Sequence, residues 1–338
     1  MHRRHQAAAC ARKMPIQTQA IIGGGSWGAA IASQLQTAGH KARLLVRNQS
    51  TADMLAEGHI RQLPDSQLSQ PLMATTDPAF LSGVDNIYVV VPLSAHADAL
   101  SHIKAHARPG TPVILASKGL MPDMIKGGLF LPEWLAETAA AFPSIMLSGP
   151  SFADEIIAGK PAALVAASDD ANLASAIAAH FIGSNCRVYS GPDPLGVAIG
   201  GAVKNVIAIA AGIASGLNLG DNARAALVTR GLAEMQRLAA SLGAQAHTLS
   251  GLSGMGDLML SCAGPHSRNM ALGLALGSGT TPSHRLSEGS NATASLVRRA
   301  EYEMIDMPVC KAVDQILNQG QDLQKTISQL LSRQVGAE

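Results

Sequence analysis

One stretch limits the fold more than any other: TQAIIGGGSWGAAIASQLQTAG, residues 18–39. A short apolar run ends in glycines, and a helical run opens directly from them. Gly23, Gly25 and Gly28 stand in the G-x-G-x-x-G spacing. The spacing alone is a weak signal, but its place between a predicted strand and a predicted helix makes it informative. Gly23 permits the tight turn, Gly25 lets a pyrophosphate approach the backbone, and Gly28 lets helix and strand pack closely. The helix N-terminus then turns N–H groups and a positive dipole end towards the phosphates. A plain strand–helix turn with spare glycines is the competing reading.

The rest of the first half continues the alternation. KARLLV (41–46), NIYVVVP (86–92), PVILAS (112–117), SIMLSG (144–149), AALVAAS (162–168) and CRVYSG (186–191) read as strands separated by helical runs. Alternation of this kind predicts an α/β, Rossmann-type domain: a largely parallel sheet with helices on both faces. Beyond residue 191 no strand is predicted. Helical runs cover about 195–216, 222–242, 267–277, 290–305, 309–318 and 321–332, punctuated by Gly and Pro. The expected organisation is a dinucleotide-binding domain over 15–194 and an all-α substrate domain over 195–338. Residues 1–14, MHRRHQAAACARKM, are basic and read as a flexible extension.

Composition narrows the function classes. The chain has 338 residues and a formal net charge of +1, so no overall charge favours nucleic acid or an anionic membrane. The four cysteines, Cys10, Cys186, Cys262 and Cys310, form no CxxC pair, which fits a reducing, cytoplasmic setting rather than a zinc site or disulfide framework. His102 and His106 share a helix face without a third ligand, so no metal is expected. GVAIGGAVKNVIAIAAGIASG (196–216) is long enough to span a membrane. Lys204 and Asn205 at its centre, and its Gly and Ala content, argue for a buried helix of a globular protein instead.

Lys204 is the anomaly of that stretch. Its helical neighbours Val197, Gly200, Gly201, Ala208 and Ala211 are nearly all small. They leave room either for another helix or for a cofactor and substrate. A desolvated lysine has a lowered pKa and can exchange protons near neutrality. Other polar residues fall at equally suggestive places. Arg47 ends the second strand where an NAD reader is usually acidic; a guanidinium suits a 2′-phosphate, which favours NADP without excluding NAD. Lys118 follows a strand, as a crevice ligand or an ordinary loop lysine. Ser151 can cap the next helix, with Asp154 completing a capping box. Asp257 is an N-cap or the partner of a site lysine. Ser267, Arg268 and Asn269 open a helix and suit a phosphate.

These residues lie in GGGSWG, VVVP, SKGL, SGPSFADEI, RVYSGPDPLGVAIGGAVKNVIAIAAG, NARAALVTRGLAEM, GLSGMGDLMLSC, SRN and EGSNAT. With those segments the chain resembles bacterial NAD(P)-dependent glycerol-3-phosphate dehydrogenases over about residues 20–295. The resemblance implies reversible hydride transfer between NAD(P)H and dihydroxyacetone phosphate, giving sn-glycerol 3-phosphate for phospholipid synthesis. It assigns Lys204 as proton donor and acceptor, and Lys118 as a contact to both cofactor and substrate. Gly149, Ser151, Asp257, Ser267, Arg268 and Asn269 match substrate-contacting positions. Ser26, Trp27, Arg47, Ala153, Arg268, Leu286 and Glu288 match cofactor-contacting ones. A homodimer is a further expectation. Ser151 stands where the family often has Thr, EGSNAT lacks an arginine common near Glu288, and 57–72 matches poorly. A β-hydroxyacid dehydrogenase or ketopantoate reductase would share the architecture, without the two lysines or a phosphate clamp. A catalytically silent NAD(P)-binding regulator would have no use for Lys118, Lys204 and Asp257 together.

Overall fold

The computed structural model describes residues 15–281 and 288–332; the expected N-terminal extension lies outside them. The α/β half runs β1 (Thr18–Ile22), α1 (Ser26–Thr37), β2 (Lys41–Leu45), α2 (Gln49–Ala56), β3 (Met73–Thr75), β4 (Asn86–Val89), α3 (His96–His106) and β5 (Val113–Leu115). A small antiparallel pair, β6 (Leu120–Met121) and β7 (Leu129–Phe130), leads into α4 (Leu131–Ala139). Then come β8 (Ser144–Ser148), α5 (Ala153–Ile157), β9 (Ala162–Ala167), α6 (Ala171–Ala179) and β10 (Cys186–Gly191).

The main sheet has eight strands in the order β10-β9-β8-β5-β4-β1-β2-β3. Neighbours from β3 to β8 are parallel, as the continuous apolar runs predict. The last pair reverses direction: β8 and β9 are antiparallel, and β10 is parallel to β9. The sequence pattern missed β3 and the β6–β7 pair. Both are very short, and β3 occupies the sheet edge. Chain order reverses between β1 and β4, so the glycine turn after β1 sits at the crevice where open α/β sheets bind ligands.

The helical half contains α7 (Pro194–Gly216), α8 (Gly220–Ser241), α9 (Ala246–Leu249), a π-helical turn (Leu252–Gly256), α10 (Asp257–Cys262), α11 (Arg268–Gly277), α12 (Glu288–Tyr302), α13 (Pro308–Asn318) and α14 (Leu323–Leu331). The six predicted helical runs match α7, α8 and α11–α14 to within about two residues at nearly every end, the usual fraying range.

Helix α7 is the axle. Asp193 starts it, accepting the Gly196 N–H at 2.8 Å and the Gln245 N–H at 2.9 Å. The apolar window long enough to cross a membrane is wholly buried inside the protein. The small residues explain how so many elements pack on it. A Cβ on Gly273 of α11 would lie 2.1 Å from the Ile209 carbonyl oxygen, and one on Gly212 would lie 2.3 Å from that of Met270. The two backbones therefore touch, a geometry that only small residues permit.

A second tie joins the halves. Arg299 of α12 is buried, donates to both carboxylate oxygens of Glu133 at 2.8 and 2.9 Å, and reaches the Gly128 carbonyl at 2.7 Å. Gly273→Ala should lower unfolding stability by about 1–3 kcal/mol, the usual cost of overpacking. Denaturant titration checks this; an unchanged midpoint would contradict the α7–α11 contact.

Candidate active site

The dinucleotide cleft is built by the turn after β1. Gly23 takes φ +123°, and a Cβ there would lie 2.4 Å from the Val90 carbonyl oxygen. A side chain would therefore push β1 off β4. At Gly25, the residue preceding α1, nothing lies within 4 Å of a Cβ position, so the turn opens freely on the cleft. The cleft measures about 640 Å³ and is lined by Gly23–Gly25, Arg47, Asn48, Thr51, Arg61 and the Val90–Pro92 stretch, among others. Ser26 and Trp27 open α1, and Trp27 Nε1 donates to the Ala116 carbonyl at 3.3 Å. Turn, open backbone and a cationic end fit a dinucleotide with an extra phosphate. Leu286 and the side chain of Glu288 lie outside the described residues.

The polar centre is Asp257. A π-helical turn precedes it, with Gly256 N–H donating to the Gly251 carbonyl at 3.0 Å. Such a turn shifts the register of the helix it leads into. Asp257 is consequently not a cap: it is the first residue of α10, with its carboxylate turned to α7. Lys204 Nζ donates to Asp257 Oδ1 at 2.6 Å and to Ser261 Oγ at 2.7 Å. Lys118 Nζ donates to Asp257 Oδ2 at 2.5 Å. The side chains of Lys204 and Asp257 are 9% and 2% exposed, while Lys118 is 16% exposed. Water therefore does little to screen the three charges from one another.

Protonation is set by that geometry. Burial, and then the neighbouring Lys118 charge, push Lys204 down to about 8. Burial pushes Asp257 up, but the two ammonium groups overcome it and hold the carboxyl below its ordinary value. The site thus joins a carboxylate held in its charged form to a lysine that exchanges its proton near neutrality.

The flanking loops complete the wall. Lys118 Cγ lies 3.2 Å, and Ser148 Oγ 3.5 Å, from the Cβ position of Gly201, one turn before Lys204. Ser148 Oγ is buried without a hydrogen-bond partner. Next along that loop, Gly149 takes φ +146° and Ser151 Oγ donates back to the Gly149 carbonyl at 2.9 Å. The expected cap by Ser151 and capping box with Asp154 are absent. Phe152 holds the N-cap position of α5 instead, and Ala153 is its first residue. Ser267 does cap α11, accepting the Met270 N–H, and the exposed Arg268 begins that helix. Asn269 Nδ2 donates to Asn205 Oδ1 at 3.0 Å, next to Lys204.

The sequence reading missed Ser261 and Asn205. Ser261 lies four residues after Asp257, one turn along the same helix face, and that spacing was the available signal. Asn205 adjoins Lys204 directly. No group of three or more metal-ligating side chains occurs among the described residues.

Comparison with known proteins identifies the family. The NAD-dependent glycerol-3-phosphate dehydrogenase N-terminus model matches residues 18–174, and the C-terminus model matches 193–328. A protein of Bradyrhizobium sp. (strain ORS 278) named glycerol-3-phosphate dehydrogenase (NAD(P)+) is 42% identical over 325 residues, 96% of this chain and 98% of its own. One of the same name from Halorhodospira halophila is 41% identical, covering 95% and 98%. The crystal structure of glycerol-3-phosphate dehydrogenase from Coxiella burnetii superposes with a TM-score of 0.87 at 37% identity, over 94% of this chain and 99% of that one.

Asp257→Ala should destabilise the fold by about 3–5 kcal/mol at neutral pH, because it strands two close ammonium groups. A loss well below 1 kcal/mol in denaturant titration would show the lysines do not depend on it. With both family models covering its two halves and full-length relatives above 40% identity, the chain belongs to the NAD-dependent glycerol-3-phosphate dehydrogenase family.

Proposed function

We propose that the protein reduces dihydroxyacetone phosphate to sn-glycerol 3-phosphate, reversibly, with NADPH preferred and NADH also accepted. The observation that carries this reading is a buried lysine, Lys204, shared between Asp257 and Ser261 and linked through Asp257 to Lys118, whose neighbour Ser117 donates to the carbonyl of Val91 on the cleft wall. We divide the chain into a dinucleotide domain over 15–194 and a substrate domain over 195–338.

Bound nicotinamide supplies the hydride to the ketone carbon, or takes it back. The protein's own residues do the rest. Lys204, as the ammonium, meets the ketone oxygen and gives it a proton as negative charge develops there. In oxidation the neutral amine takes that proton back. Asp257 holds Lys204 on this task and keeps Lys118 beside it. Lys118 adds positive charge near both cofactor and substrate. Ser267, Arg268 and Asn269 at the start of α11 hold the phosphate, with Gly149 and Ser151 on the facing loop. Ser26, Trp27 and Ala153 contact the cofactor, and Arg47 reads its 2′-phosphate. Cys186, Cys262 and Cys310 are free and buried, which supports a cytoplasmic enzyme. A homodimer feeding glycerophospholipid synthesis completes the reading.

Lys204→Ala should lower kcat by about 10²–10⁴ while NADPH binding, measured by fluorescence, stays intact; near-normal turnover would contradict the assignment. Reduction requires the charged form of Lys204, so kcat/KM for dihydroxyacetone phosphate should fall as pH rises through about 8. Oxidation requires the neutral form and should gain over the same range. A reductive profile flat between pH 7 and 9 would contradict the proton role. Arg47→Asp should move preference from NADPH towards NADH, and an unaltered ratio of the two kcat/KM values would remove Arg47 from phosphate reading.

A further inference from the structure

The segment from Ser148 to Asp154, which joins β8 to α5, touches the helical half at several points. Ser148 Oγ lies 3.5 Å from the Cβ position of Gly201, and Pro150 Cγ lies 3.7 Å from the Cβ position of Gly256, the residue before Asp257. Two residues further, Phe152 stacks face to face on His266, with ring centroids 4.0 Å apart and planes 3° from parallel. His266 Nε2 also lies 3.1 Å from the carboxylate oxygens of Asp154. One imidazole is thus held by a ring and a carboxylate from the opposite half of the molecule. Glu155, next to Asp154, pairs instead with Lys160 at 3.0 Å.

What His266 fixes is the entry into α11. It immediately precedes Ser267, the cap of that helix, and stands two residues before Arg268. From the other side, Asn269 is tied to Asn205 on α7. Arg268 therefore sits between two anchors, one in each half of the molecule. Removing His266 takes away the anchor to Phe152 and Asp154, and the first turn of α11 gains freedom relative to the Ser151 loop. A side chain that must meet a small anion within hydrogen-bond range loses affinity when its backbone is less defined.

We propose that His266, clasped by Phe152 and Asp154, is a positioning residue that sets the first turn of α11 for binding the substrate phosphate. This rests on the assignment of that turn as the phosphate clamp. It separates a role in phosphate binding from a role in the chemistry, because His266 contacts Phe152 and Asp154, whereas Lys204 bonds Asp257 and Ser261.

Steady-state kinetics of His266→Leu, His266→Phe and the wild type test it, with dihydroxyacetone phosphate and with unphosphorylated dihydroxyacetone. His266→Leu should raise KM for the phosphorylated substrate about three- to tenfold, the scale of one lost aromatic contact with its polar partner. Competitive inhibition by inorganic phosphate should weaken by the same factor, and kcat/KM for dihydroxyacetone should stay unchanged. His266→Phe keeps the stacked ring and should recover most of the loss. An unchanged KM for dihydroxyacetone phosphate, or equal losses with both substrates, would overturn the proposal. If the wild type reduces neither ketone, the assigned reaction fails. Calorimetry with inorganic phosphate then judges the clasp by itself: weaker binding by His266→Leu supports it, and equal binding overturns it.

Discussion

A carboxylate placed between two ammonium groups governs this structure. Each of the three charges would be costly to bury alone, and removing the carboxylate leaves two uncompensated ammonium groups in a low-dielectric site. Asp257 resolves the conflict by giving one oxygen to Lys204 and the other to Lys118. The three residues come from α10, α7 and the loop after β5, so the contact can form only when the helical half is seated on the C-terminal edge of the sheet. The charge arrangement and the docking of the two halves are the same event.

That seating explains the composition of α7. It must pass α11, the π-helical turn and the Lys118 loop at close range while carrying a lysine towards the interior. Gly212 meets the backbone of α11, Gly200 meets Ser253, and Gly201 meets Lys118. Both uses of the small face are realised along different parts of one helix. Helix–helix contact takes the C-terminal portion, and the polar site takes the turns around Lys204. The same absence of bulk that lets helices approach keeps the lysine dry, which is what lowers its pKa.

Much of this was legible in the sequence because the signals were local. The glycine turn, the alternating apolar runs, the Ser267 cap and the length of α7 each depend on neighbours within a few residues. Lys204 was conspicuous because nothing in an ordinary apolar helix accounts for a charge. What escaped depended on distant partners. Ser151 has the spacing of a capping residue, yet its hydroxyl turns back to Gly149 because the loop is folded against the π-helical turn. Asp257 could equally have been a cap, and only the π-helical turn shows why it faces the lysines. The reversed β9–β10 pair is invisible in strand composition, since strand direction is set by the connection rather than by side chains. Ser261 and Asn205 needed the helix register as well as the sequence.

The central claim is that burial and the neighbouring Lys118 charge make Lys204 a proton-exchanging group near neutral pH, against the opposing pull of Asp257. NMR titration of lysines labelled at Cε, with the Lys204 signal assigned by comparison with Lys204→Arg, measures this directly. The predicted result is a midpoint of about 8 for Lys204. A midpoint at the ordinary lysine value of 10.5 would contradict the account.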